Sequence, residues 1–133
     1  MNKKLNITLL VLWTGLIAFA VLAPSNSLPK SIGFFSFIPH FDKLVHCGMF
    51  GGFAFLLFWL FPIKQYLIFS ALKTFLISFA FAFITEILQL LLAEVIQRSF
   101  EWWDLFADVS GIVLAIGLCC IIARNKPNIK TRK

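Results

Sequence analysis

The sequence predicts an all-α membrane protein, built as a bundle of four transmembrane helices with both termini in the cytoplasm. The first observation is composition: 60% of the 133 residues are hydrophobic, only 14% are charged, and the mean hydropathy is +0.91. A soluble domain is nearer half apolar and a quarter charged. The second observation is a series of four long apolar runs. The third is the distribution of basic residues around those runs.

The first run, residues 5–23, follows a short basic start and is long enough to cross a hydrocarbon core of about 30 Å. A cleaved signal peptide has a similar outline, but its apolar region is usually about 7–15 residues long and ends at an A-x-A-like site. This run is longer and has no clean cleavage site. We therefore expect a retained helix, and a cleaved signal is the alternative.

Three further spans are predicted, at residues 42–61, 67–93 and 104–123. Prolines and serines in residues 24–40 predict a loop after the first span, and Pro62 ends the second span. Residues 1–124 are therefore expected to form one transmembrane domain, and residues 125–133 a basic cytoplasmic tail. Small residues let helices approach closely in membranes, so packing contacts are predicted at Gly48, Gly51, Gly52, Gly111 and Gly117.

The basic residues predict the orientation of the bundle. Of the twelve Lys and Arg residues, all but Lys30, Lys43 and Arg98 fall at the end that carries both termini. The positive-inside rule places that end in the cytoplasm. The net charge of +6 is therefore explained by basic flanks on membrane helices, and we expect a lipid bilayer and no nucleic acid as the partner.

Polar residues occur in pairs near the external ends of three spans. The pairs are Asp42 and His46, Glu86 and Gln89, and Asp104 and Asp108. A spacing of three or four residues puts both members of a pair on one helical face. Acids within membrane helices are costly unless they face a bundle interior or a watery cavity. We therefore expect one polar site at the outer membrane face, completed by Lys43 and by Arg98 as its principal cation.

These residues form three pieces in a fixed order: DKLVH followed by an aromatic, TEILQ, and an arginine followed by D-x-x-x-D and a glycine. The pieces contain Asp42, Lys43, His46 and Phe50; Glu86 and Gln89; and Arg98, Asp104, Asp108 and Gly111. In this order they resemble the VanZ-like family, although Ser110 stands where the family often has asparagine. The resemblance implies a multi-pass protein of the bacterial cytoplasmic membrane, related to a protein associated with tolerance to the glycopeptide teicoplanin. It implies no particular reaction.

Three functions remain open for the polar site. It could recognise a cell-envelope precursor or a glycopeptide antibiotic, with Arg98, Lys43 and His46 donating to phosphate or carboxylate groups. The acids would then contact sugar hydroxyls or peptide amines. Alternatively, the charges only clamp the helices, with Arg98 paired to Glu86 or Asp104 and with His46 bonded to Asp42 or Asp108.

The third possibility is a metal-dependent enzyme acting on a lipid-linked phosphate. His46, Glu86, Asp104 and Asp108 carry groups that can bind a divalent cation. Their spacing matches no known metal motif, and the sequence has no G-x-S-x-G, H-E-x-x-H or P-loop pattern. The sequence therefore identifies neither a cofactor nor a catalytic residue. Transport has little support, because there is no inverted repeat.

Overall fold

The computed structural model of the chain describes residues 2–23, 41–97 and 99–125, apart from the side chains of residues 63–65. Its helices are α1 (Lys3–Leu22), α2 (Phe41–Phe58), α3 (Ile63–Leu91), α4 (Ala93–Ile96) and α5 (Trp102–Asn125). Four segments are long and apolar enough to cross a membrane: α1, α2, α5 and α3 from Tyr66 onward. The predicted all-α fold with four helices of membrane-spanning length is confirmed for these residues, and the cytoplasmic placement of the termini stays a prediction. The predicted loop at 24–40, Arg98 and the tail from 126 lie outside the described residues.

The helix ends differ from the predicted ends where proline and turn geometry intervene. α2 ends at Phe58, before the predicted end at 61. Two hydrogen bonds between residues three apart, from Leu60 N–H to the Leu57 carbonyl and from Phe61 N–H to the Phe58 carbonyl, follow before Pro62. A residue before proline is disfavoured in the helical region. α3 begins directly after Pro62, and Tyr66 interrupts it with a non-helical φ of −135° and ψ of 40°.

The third and fourth spans are joined by a more structured connection than the sequence predicts. α3 ends at Leu91, and the short helix α4 follows and stops at Gln97. Gln97 has a φ of 55°, in the left-handed region that commonly ends helices. α5 then begins at Trp102, two residues before the predicted start. Trp102 and Trp103 are exposed in its first turn, where interfacial anchors are expected.

The packing of α2 on α5 is the most extensive helix contact among the described residues. A Cβ atom at Gly111 would lie 2.1 Å from the backbone oxygen of Cys47, and one at Gly51 would lie 3.1 Å from the Gly111 oxygen. The two backbones therefore touch at Gly111, where only glycine fits, and Gly51 packs tightly beside this point. The prediction of glycine packing is confirmed at these positions. It is wrong for Gly48 and Gly117, where no described atom lies within 4 Å of the Cβ position.

α1 joins the bundle through its contacts with α2. The indole of Trp13 lies against Gly52, and its Nε1 donates a hydrogen bond of 2.8 Å to the Met49 carbonyl. Asn6 donates to the Leu56 carbonyl at 3.0 Å near the opposite end of the bundle. Both side chains bond the α2 backbone, so they fix the position of α1 along α2.

Much of the apolar surface of the spans faces outward. Phe19 is 70% exposed and Leu91 is 73% exposed, whereas Phe50 and Phe58 inside the bundle are fully buried. The Phe81 ring of α3 packs against Phe53 of α2, with ring centroids 4.8 Å apart. An apolar exterior around an apolar interior fits a lipid bilayer as the surrounding solvent.

Candidate ligand-binding site

The candidate site lies where α2 begins, α3 ends and α5 begins. The first turns of α2 carry Asp42, Lys43 and His46, and the last turns of α3 carry Glu86 and Gln89. The first turns of α5 carry Asp104 and Asp108. α2 and α3 bring their polar ends together because each packs against α5.

Lys43 is the centre of an outer layer of ion pairs. Its Nζ lies 2.9 Å from Asp42 Oδ2 and 2.7 Å from Glu101 Oε2, and it also donates to Asp104 Oδ1. A lysine ammonium has three N–H donors. Three carboxylates therefore occupy the hydrogen-bonding capacity of Lys43.

His46 and Asp108 form an inner contact. His46 is 6% exposed and Asp108 is fully buried, and His46 Nδ1 lies 3.0 Å from Asp108 Oδ1. His46 Nε2 is 3.8 Å from Asp104 Oδ2, which is too far for a hydrogen bond. Asp108 Oδ2 is buried and has no hydrogen-bond partner among the described residues. The contact thus leaves one carboxylate oxygen unsatisfied.

Glu86 lies beside this inner contact and is 1% exposed. Its Oε2 accepts a hydrogen bond of 3.1 Å from the backbone N–H of Glu101. The Glu101 carbonyl in turn accepts from the Asp104 N–H at 3.0 Å, so Glu101 stands at the start of α5. The N-terminus of a helix carries partial positive charge. This end of α5 therefore favours the carboxylates gathered around it.

Gln89 fastens α3 to α1. It is 2% exposed, and its Nε2 donates to the Val21 carbonyl at 3.3 Å. Val21 lies in the last turn of α1, where backbone carbonyls have no partner within the helix. Gln89 thus bonds one of them, which ties the site to all four spans.

A cavity of about 500 Å³ opens at this end of the bundle. Ligand pockets typically measure about 300–1,000 Å³. The cavity wall offers three carboxylates, two amides, a hydroxyl and an imidazole. The lining residues are Asp42, His46, Gln89, Ala93, Gln97, Ser99, Glu101 and Asp104.

A group with metal-ligand chemistry lies beside the cavity. One ligand atom from each of His46, Glu86 and Asp108 lies within 4.8 Å of the others, and all three residues are buried. Asp104, which the sequence also suggested as a ligand, is instead bonded to Lys43.

The family model VanZ/LLP1 matches residues 4–123, which is most of the chain. The chain belongs to the VanZ/LLP1 family. No curated protein and no solved structure matches it. Membership of VanZ/LLP1 confirms the resemblance that the three sequence pieces indicated.

The structure of this VanZ/LLP1 chain brings seven of the eight predicted site residues to one end of the bundle. They are Asp42, Lys43, His46, Glu86, Gln89, Asp104 and Asp108. The eighth, Arg98, lies outside the described residues, so its pairing with Glu86 or Asp104 stays a prediction. Of the two predicted contacts of His46, the structure has the one to Asp108.

Three polar residues of the cavity were not predicted from the sequence. Glu101 bonds both Lys43 and Glu86, and Gln97 and Ser99 line the cavity wall. A signal for Glu101 exists, because an acid directly before an apolar run commonly stands at a helix start. Gln97 and Ser99 carry no such signal, since polar residues in a short connection ordinarily face solvent.

Proposed function

We propose that this protein is a multi-pass protein of the bacterial cytoplasmic membrane whose cavity opens at the outer face and binds a cell-envelope precursor or a glycopeptide antibiotic. The observation that carries the proposal is the wall of the cavity, in which carboxylates and amides surround about 500 Å³ of space. Such a wall suits a ligand rich in amines and hydroxyls. Peptide stems and amino sugars of envelope precursors and glycopeptides carry these groups.

Because the Lys43 ammonium is already bonded, the cavity favours a ligand with amines over a ligand with phosphate. The sequence suggested Lys43 as a donor to an anionic ligand, but its ammonium already bonds three carboxylates. An anion entering the cavity would have to displace one of them. A ligand amine would instead join acids such as Asp42, whose side chain is 62% exposed.

The location at the outer face rests on the charge distribution. By sequence position, nine of the twelve basic residues flank or begin the spans at the ends that are opposite to the cavity. The positive-inside rule then leaves the cavity facing outward. Envelope precursors and glycopeptides are both encountered at that face.

A binding assay tests the proposal. The purified protein in lipid nanodiscs is titrated with a lipid-linked cell-wall precursor and, separately, with teicoplanin. Asp42→Asn and Ser99→Ala alter the cavity wall at exposed positions, so we expect weaker binding by about 10-fold for Asp42→Asn at an unchanged melting temperature. Glu94→Gln is the matched control, since Glu94 is an exposed acid outside the cavity lining.

The outcomes separate recognition from a structural clamp. A clamp predicts that neither ligand binds and that loss of a cavity carboxylate changes only the melting temperature. Equal binding by the wild type, Asp42→Asn and Ser99→Ala would also remove the proposal, because the ligand would then lie elsewhere on the protein.

A metal-dependent enzyme acting on a lipid-linked phosphate is the second candidate. It is favoured by the approach of His46, Glu86 and Asp108 beside the cavity. Release of inorganic phosphate from a polyprenyl diphosphate, dependent on an added divalent cation, is the measurement that supports it. No release with any cation would remove it.

A further inference from the structure

Three buried side chains at the inner part of the site carry groups that commonly bind metal ions, and the hydrogen bonds among the described residues leave one of these groups unsatisfied. His46, Glu86 and Asp108 come from three different helices, yet one ligand atom of each lies within 4.8 Å of the others. Their exposed fractions are 6%, 1% and 0%. Two carboxyl groups and an imidazole are therefore held together away from solvent.

Asp108 Oδ2 is the observation that points to a missing partner. The side chain is fully buried, its Oδ1 contacts His46, and its Oδ2 has no hydrogen-bond partner among the described residues. Leaving a buried polar atom unsatisfied is costly, and more so when it belongs to a charged group. A cation bound at this oxygen would satisfy it.

The outer layer of ion pairs contains a lysine, whereas the inner group of His46, Glu86 and Asp108 does not. The outer acids Asp42, Glu101 and Asp104 share the Lys43 ammonium. In the described part of the chain, no lysine or arginine forms an ion pair with Glu86 or Asp108. Among the described residues, these two buried carboxyl groups thus have no permanent positive partner, and a divalent cation would supply one.

The distances suit ion binding. Ligand atoms that bind one ion at about 2.0–2.2 Å lie about 3–4 Å apart. His46 Nδ1 lies 3.0 Å from Asp108 Oδ1, so the carboxylate that carries the unsatisfied Oδ2 is already beside the imidazole. The ligand atoms of all three groups lie within 4.8 Å of one another, so shifts of about 1–2 Å would bring Glu86 into the same range. His46 also lines the cavity, so water can complete the coordination.

We propose that His46, Glu86 and Asp108 bind one divalent cation of the first transition row, such as Zn²⁺ or Mn²⁺. The imidazole favours Zn²⁺ over Mg²⁺ and Ca²⁺, which prefer oxygen ligands throughout, and the two carboxylates suit Mn²⁺. The site is distinct from the outer carboxylates that would contact an organic ligand. It therefore does not depend on the proposed recognition function.

The first test measures metal binding without any organic ligand. Protein purified without a histidine tag is stripped with chelator and titrated calorimetrically with Zn²⁺ and, separately, with Mn²⁺. We expect one ion per chain and a loss of affinity of at least about 10-fold in Glu86→Gln and Asp108→Asn. Glu94→Gln should bind as the wild type does. Absence of binding by the wild type, or equal binding by both variants, overturns the proposal.

The second test remains valid if the variants fail to fold. The wild type is loaded with Mn²⁺, and electron spin echo spectroscopy measures coupling to an imidazole nitrogen. Coupling that persists in His40→Asn, which removes the other histidine of the chain, supports His46 as a ligand. Absence of nitrogen coupling in the wild type overturns the site. Because no organic ligand is present, failure here leaves the recognition proposal intact.

Discussion

Gly111→Ala is the sharpest test of the contact that positions the site. The added Cβ would lie 2.1 Å from the Cys47 carbonyl oxygen on the α2 backbone. Non-bonded heavy atoms pack at about 3.5–4.0 Å, so the two helices would have to separate by about 1.5 Å. Overpacking of this kind costs about 1–3 kcal/mol, and we expect the melting temperature to fall by about 5–15 °C.

Gly117→Ala is the matched control, because it lies on the same helix and no described atom is within 4 Å of its Cβ position. Alanine is the better helix former, so this variant should be as stable as the wild type or slightly more stable. Melting of both variants in one detergent, followed by circular dichroism, makes the comparison. If Gly111→Ala and Gly117→Ala have the same melting temperature, the backbone contact between α2 and α5 is not as tight as the structure has it.

Two further predictions address the position of α1 and the topology. Trp13→Phe removes the 2.8 Å hydrogen bond to the Met49 carbonyl, and we expect a loss of about 1 kcal/mol in unfolding free energy, whereas Trp103→Phe at an exposed position should change little. If Trp13→Phe loses less unfolding free energy than Trp103→Phe, the hydrogen bond from Trp13 to the Met49 carbonyl is contradicted. Single cysteines placed at Ser27, Lys64, Ser99 and Thr131 in a background without native cysteines should react with an external reagent at Ser27 and Ser99 only. External labelling at position 64 refutes the topology.

The helices and the grouping of polar residues could be predicted because both depend on local spacing. Apolar runs give the spans, and spacings of three or four residues put Glu86 with Gln89 and Asp104 with Asp108 on common faces. Antiparallel neighbours joined by a short connection then bring those faces to one end. The grouping of the polar residues at one end can therefore be predicted without knowing how each helix is rotated about its axis.

The partners within the site could not be predicted, because they depend on how the helices are rotated about their axes. Gly48 and Gly51 are alike in sequence, yet only Gly51 meets the α5 backbone. That contact helps to fix the rotation of α2, which decides that Lys43 reaches Glu101 and Asp104. The kink at Tyr66 and the left-handed Gln97 also carry no sequence signal that distinguishes them from ordinary helix and loop.

A final prediction concerns which cation is the principal one in the site. The sequence favoured Arg98, with Arg98→Ala expected to disturb the site more than Lys30→Ala or Lys73→Ala. Arg98 lies outside the described residues, and the structure has Lys43 bonded to three carboxylates, with its own side chain 20% exposed and that of Asp104 12% exposed. Its removal leaves those acids to repel one another across a partly buried site.

We therefore expect Lys43→Gln to lower the unfolding free energy by about 1–3 kcal/mol, less than for a fully buried pair because water screens Asp42 and Glu101. Lys73→Gln is the control, since Lys73 lies in a separate cavity with Phe61 and Tyr66. Chemical unfolding of the two variants and of Arg98→Ala ranks the three cations. A greater loss for Arg98→Ala than for Lys43→Gln would return Arg98 to the centre of the site, and equal stability of all three would mean that the outer acids need no internal cation.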